Sequence, residues 1–258
     1  MGFFDHIDEL RARLFRAVVV FFIGFILCYA YVDQWVLAFL RKPLFDVMPP
    51  EQQKLYFTSL FENFMTHLKI AGYSSIFFVS PYFFYEIWAF VAPGLYPRER
   101  KWLVPFILAA TCFFVGGALF AYYVMFPVAF KFFVTYGEAT DVAMLTIANY
   151  YDTCLKLLLL FGLAFELPVL IVLLGFLGVV DADMLRAQRK VAVIAITVGC
   201  AMFAPPDAIS MLILMTPLIL MYEGSIWVVQ MIGKRKPPPE ATTTEEGPPV
   251  NPLSGQSR

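Results

Sequence analysis

Charge is scarce in this 258-residue sequence: Asp, Glu, Lys and Arg together make up 15% of it. A soluble domain carries about 25%, so the shortage argues against a water-soluble globule. Histidine is scarcer still, with only His6 and His67, and neither lies in an HExxH zinc motif. The four cysteines, Cys28, Cys112, Cys154 and Cys200, stand singly in or at the edge of apolar segments. They lack metal-ligand spacing and read as small buried hydrophobes, so no disulfide framework and no metal site is expected. A Gly-rich phosphate loop is missing, as is a GxSxG nucleophile elbow. No nucleophile–base pair or pair of aspartates lies at membrane depth, as an intramembrane protease would need. No catalytic residue and no cofactor is expected, and the chain is not read as an enzyme. The N-terminus also lacks the marks of a cleavable signal, because Asp5, Asp8 and Glu9 precede the first apolar run and no small-residue cleavage site closes it. No internal repeat is visible, which weakens an inverted-repeat transporter reading.

What fills the sequence is apolar: 60% of residues are hydrophobic and the mean hydropathy is +0.72. Several segments approach or exceed the roughly 20 apolar residues needed to cross a bilayer. The fold class expected is all-α, because an unclosed strand cannot satisfy its backbone in lipid. Six spans can be read, near Leu14–Val32, Met65–Val91, Trp102–Phe126, Tyr151–Leu177, Val191–Phe203 and from Ala208 to about residue 232. The amphipathic stretch Phe3–Arg13 leads into the first, and Ser80-Pro81 is expected to interrupt the second. The fifth reaches only roughly 20 Å against a hydrocarbon core of about 30 Å. The sixth has Ala208–Tyr222 before Glu223 interrupts it. Two short neighbours would thin the bilayer or be covered by partner helices; alternatively, these helices extend past the apolar boundaries.

Basic residues set the orientation. With the N-terminus in the cytoplasm, that side carries thirteen Lys and Arg and the opposite side five, with Lys156 inside the fourth span. This favours both termini in the cytoplasm. The net charge of −1 and pI of about 6.1 give no pointer to nucleic acid. Asp33–Asn63 is long enough for an outer cap shaped by Pro43 and Pro49-Pro50, and Lys131–Asn149 forms a second outer segment. Residues 1–233 are read as one membrane domain, and 234–258, rich in Pro, Thr and Glu, as a disordered cytoplasmic tail.

Glu166 is the carboxylate out of place, set within the apolar run Leu157–Leu177. At that depth it costs roughly 2.5–3.5 kcal/mol on insertion scales unless it is protonated, paired or facing water. Two readings stand: a functional group, or a protonated side chain that only bonds a neighbouring helix. Lys156, about 15 Å away along one helix, is too far to pair with it and reads as snorkelling to the outer interface. At the cytoplasmic surface, Glu9 lies four residues before Arg13, a spacing that suits an ion pair on one helix face. Glu99 sits between Arg98 and Arg100, where composition alone suggests a solvated charge.

The stretch His6-Ile7-Asp8-Glu9-Leu10-Arg11-Ala12-Arg13-Leu14 resembles the opening H-x-x-E-L-R-x-R-L pattern of the TatC family. Tyr85-Glu86-Ile87-Trp88-Ala89-Phe90-Val91-Ala92-Pro93-Gly94-Leu95-Tyr96, followed by Glu99-Arg100, is similar too. So are Phe126-Pro127, Phe165-Glu166-Leu167-Pro168 and Pro205-Pro206-Asp207. The resemblance covers about Phe3–Gly233 and implies a six-helix cupped membrane fold. It also implies the core receptor of a twin-arginine protein translocase, which takes twin-arginine signal peptides of folded cargo under the protonmotive force. The partners it implies are TatA- and TatB-type single-span proteins, membrane lipid and further copies of the chain, in a bacterial cytoplasmic membrane. By family pattern, Glu9 and Glu99 receive the two arginines, with Arg11 and Phe90 in the same signal-peptide site. Carboxylates suit this task, since guanidinium binds them in charge-assisted, often bidentate pairs that an ammonium does not reproduce. Glu166 becomes an intramembrane contact for a partner helix, and Pro43 and Asp207 order the outer cap. Glu86 matches a position where the family also uses Gln, so an obligatory charge is not expected there. An ion-coupled small-solute transporter, with Glu166 and Glu86 as its ion sites, and a ligand-free scaffold are the competing classes.

Overall fold

The computed structural model describes residues 3–50, 53–91, 103–136, 145–203 and 208–233. Among them all regular structure is helical, in the order α1 (Phe3–Leu27), a π-helical turn (Cys28–Val32), α2 (Asp33–Phe45), α3 (Leu60–Val91) and α4 (Leu103–Phe120). A second π-helical turn (Ala121–Met125) leads into α5 (Phe126–Tyr136), followed by α6 (Ile147–Ala164), α7 (Leu167–Phe176), α8 (Ala182–Ala187), α9 (Arg189–Phe203) and α10 (Ala208–Gly233). Four helical stretches are long and apolar enough to cross a membrane: Ile7–Tyr31, Val104–Val134, Ile147–Phe176 and Ala208–Ile232. The other two expected spans fall short for different reasons. α3 has 32 residues, but Ser74, Ser75, Ser80 and Glu86 dilute its apolar character. α9 has 15 residues, a rise of roughly 22 Å.

Prolines explain where helices break and where they do not. The expected interruption at Ser80-Pro81 is absent, and α3 runs through it. Pro81 cannot donate to the Phe77 carbonyl one turn back, but the Ser80 hydroxyl donates to that oxygen at 2.7 Å. The same repair operates at Pro43 inside α2, whose missing N–H leaves the Phe39 carbonyl open. There the donor comes from another helix: the Tyr122 hydroxyl, in the second π-helical turn, bonds Phe39 O at 2.9 Å. Tyr150 bonds the Leu40 carbonyl at 2.6 Å, so two tyrosines hold α2 by successive carbonyls. At Pro168 no such donor is found among the described residues, and the fourth span divides into α6 and α7 at Phe165-Glu166. It was expected as a single helix.

Three further boundaries depart from expectation. The third span continues well past Phe126 to Tyr136, because the second π-helical turn absorbs one extra residue per turn without stopping the helix. The outer segment after it therefore begins later than Lys131. α10 is not interrupted at Glu223. Its carboxylate sits 2.7 Å from Arg189 on α9, so the charge is partnered and the helix runs 26 residues. Of the two short spans expected, only the fifth is short. Cys112 is exposed rather than buried, whereas the other three cysteines are buried as expected.

The core is centred on α6, which packs against α3 and α4. Tyr151, Phe126, Phe161, Leu40 and Ile70 are its largest enclosed side chains. α1 has α3 as its main neighbour and α9 has α10, so both lie toward the margins. α1 approaches α3 closely because Gly24 has no side chain; a Cβ there would meet Val79 Cγ2 at 2.6 Å. Between the segments that lead into α3 and α6, Tyr56 and Thr146 form an isolated parallel bridge. Glu62 there caps two helices at once. One oxygen takes the Thr58 and Ser59 amides before α3, and the other takes the Ala148 amide in the first turn of α6. Those hydrogen bonds pull its carboxyl down to about 2, so this tether stays ionised across the physiological range.

Candidate functional site

Of the candidate recognition residues, Glu9 lies where the N-terminal part of α1 crosses the C-terminal part of α3. Glu9 and Arg13 are one turn apart on α1, and the guanidinium closes on Glu9 Oε1 through Nη2 at 2.6 Å and Nε at 3.1 Å. The remaining nitrogen, Nη1, reaches across to Glu86 Oε2 on α3 at 3.0 Å. Glu86 is in turn fixed by Tyr82, one turn earlier, whose hydroxyl donates to Oε1 at 2.7 Å. Arg16 Nε approaches that same oxygen at 3.6 Å. Burial separates the two acids: the Glu86 side chain is 5% exposed and Glu9 25%.

The ion pair expected between Glu9 and Arg13 is therefore present, as the more exposed half of a larger network. What the sequence reading missed is Glu86. An obligatory charge was not expected there; in this structure two arginines and a tyrosine face its buried carboxylate. Removing one partner of an enclosed ion pair costs about 3–5 kcal/mol, and the partial exposure of Arg13 puts this pair at or below the low end. The spacing of Tyr82 and Glu86, four residues apart in α3, was the available signal. Only the fold could supply Arg13 opposite them.

From this network an apolar cavity of about 540 Å³ runs along α1, α3 and α6. Arg13 and Glu86 line it at one end, and Leu14, Phe21, Phe84 and Leu163 are among its walls. Phe90, half-buried, also lines it, so the structure brings Glu9, Arg13, Glu86 and Phe90 to one neighbourhood. Arg11 is exposed on α1. Glu99 and Asp207 lie outside the described residues.

Glu166 lies apart from this cluster, in the joint between α6 and α7. Its side chain is buried, and Oε1 has no hydrogen-bond partner among the described residues. It sits at the N-terminus of α7 without capping it through its side chain, where the helix dipole favours negative charge. Lys156 is occupied elsewhere: it pairs with Asp152 at 2.5 Å, and Asp152 also holds Lys69 on α3 at 2.8 Å. Pro43 is buried within α2, under the tyrosine contacts described above. Among the described residues no group of three or more His, Cys, Asp or Glu side chains is placed to hold a metal ion.

Comparison with known proteins agrees with this architecture. Residues 5–217 match the family model described as Sec-independent protein translocase protein (TatC). The Sec-independent protein translocase protein TatC of Magnetococcus marinus is 38% identical over 238 residues, covering 92% of this chain and 87% of the relative. The corresponding protein of Desulforapulum autotrophicum is 35% identical over 243 residues, covering 94% and 89%. The chloroplastic relative in Arabidopsis thaliana is 35% identical over 91% of this chain and 68% of its own length. A crystal structure of the twin arginine translocase receptor TatC superposes with a TM-score of 0.75 at 30% identity, covering 88% of this chain and 99% of that one. A second, in the detergent DDM, gives a TM-score of 0.77 at 32% identity, covering 86% and 98%. Together with the apolar helices, these relatives make the chain a multi-pass membrane protein. It belongs to the TatC family of Sec-independent protein translocase proteins, which are translocase components and not enzymes.

Proposed function

We propose that this chain is the signal-peptide receptor of a twin-arginine translocase in a bacterial cytoplasmic membrane. In this reading it has six spans, with α3 and α9 completing the set, and both termini in the cytoplasm. Residues 1–233 form the membrane domain, followed by a cytoplasmic tail. The observation that carries the reading is the partly exposed Glu9 beside an apolar cavity. A twin-arginine signal peptide has matching chemistry, two guanidinium groups followed by an apolar segment. Glu9 and Glu99 receive the arginines, with Arg11 and Phe90 alongside, and the apolar segment enters the cavity between α1 and α3. TatA- and TatB-type helices then dock in the membrane and the protonmotive force drives transport, with several copies of the chain in the complex. Glu166, whose Oε1 lacks a hydrogen-bond partner among the described residues, is the polar contact for such a helix. Pro43 and Asp207 order the outer cap.

Export of a folded twin-arginine substrate by cells carrying Glu99→Ala tests the assignment. Export and signal-peptide crosslinking are both expected to fail while the protein remains in the membrane. Survival of both would remove Glu99 from the site.

A further inference from the structure

Arg13 occupies the place that an incoming arginine needs. It already spends two nitrogens on Glu9 Oε1 and a third on Glu86 Oε2. A peptide guanidinium that pairs with both oxygens of Glu9 must therefore displace from Oε1 an identical group that belongs to the chain itself. Glu86 makes that exchange possible. It is buried, pinned through Oε1 by Tyr82, and within reach of Arg16, so it keeps its position when Glu9 changes partner. A displaced Arg13 then keeps its bond to Glu86 and is not left unpaired beside an apolar cavity, where an uncompensated charge is costly.

Building on the receptor reading, we infer that Arg13 is a built-in competitor for Glu9 and that Glu86 is the specificity-determining residue that holds it aside when a twin-arginine peptide binds. The competitor sets the selectivity. Replacing the paired bonds of one guanidinium by those of another is close to an even exchange. An ammonium is a point charge without the planar fork, so a lysine that displaces Arg13 recovers less than is lost. The site thus rejects lysine through what must be displaced as well as through the shape of the acids.

The test is a binding titration of the full chain in lipid nanodiscs. The probes are a fluorescent twin-arginine signal peptide and the same peptide with both arginines changed to lysine. Glu86→Gln is expected to weaken twin-arginine binding about tenfold, the worth of one charge-assisted hydrogen bond, because Arg13 closes fully on Glu9. Arg13→Gln is expected to tighten both peptides and to narrow the arginine-over-lysine preference by about tenfold. The double variant should bind the twin-arginine peptide within about threefold of Arg13→Gln alone, since the penalty of losing Glu86 exists only when Arg13 is present. Simple addition of the two effects, or an unchanged peptide preference in Arg13→Gln, would overturn the inference. If Glu86→Gln does not fold, the preference measured in Arg13→Gln decides alone. Equal binding of the two peptides by the unsubstituted chain would instead reject the receptor reading, and the inference with it.

Discussion

Replacing Glu9 by Gln should reduce export of twin-arginine substrates at least about tenfold, the worth of one charge-assisted hydrogen bond to an arginine. The loss should come with almost no change in the stability of the protein. Glu9 is partly exposed and its only partner among the described residues is Arg13, one turn along the same helix. Such i,i+4 pairs contribute about 0.3–0.5 kcal/mol, and Arg13 retains Glu86 when Glu9 is neutral. A structural role for Glu9 would therefore be nearly silent, whereas a receptor role would not. Export assays alongside thermal unfolding of the purified protein separate the two. Normal export in Glu9→Gln would remove this carboxylate from recognition.

The second large effect concerns packing. Gly117 on α4 lies so close to α6 that a Cβ would land on the Phe161 carbonyl and 2.9 Å from Phe165 Cβ. Backbone cannot swing aside as a side-chain tip can, so Gly117→Val must push the two helices apart. Overpacking of this kind costs about 1–3 kcal/mol, and the backbone clash puts this site at the top of the range. The melting temperature in detergent should fall by roughly 6–12 °C, at 2–4 °C per kcal/mol for a chain of this size. Gly116 is the internal control. Its added Cβ would meet nothing within 4 Å, so Gly116→Ala should leave the melting temperature undiminished or slightly raised. Equal responses at the two positions would contradict the close α4–α6 approach. Because Phe165 precedes Glu166, Gly117→Val should also disturb the joint between α6 and α7.

Much of the helical plan was legible in the sequence, because long apolar segments in lipid leave few options for the backbone. The Glu9–Arg13 pair was legible as well, since helical spacing alone brings the two side chains together. Hidden were the features in which one segment repairs another. Pro43 and Pro81 carry the same local signal, but one is satisfied by its neighbour Ser80 and the other by Tyr122, far along the chain. Glu223 looked like a stop because its partner, Arg189, belongs to a different helix. Glu86 was discounted for the same reason: the cations that pair with this buried carboxylate come from α1.

The central claim is that an arginine-bearing peptide docks at Glu9 and runs into the cavity behind it. Photocrosslinking from position 14, where Leu14 lines that cavity, tests this most directly. With a photoreactive residue there in the full chain in membranes, a twin-arginine signal peptide should be captured through its apolar segment. The same peptide bearing two lysines should be captured far less. Equal capture of both peptides, or capture of neither by a chain that still supports export, would contradict the account.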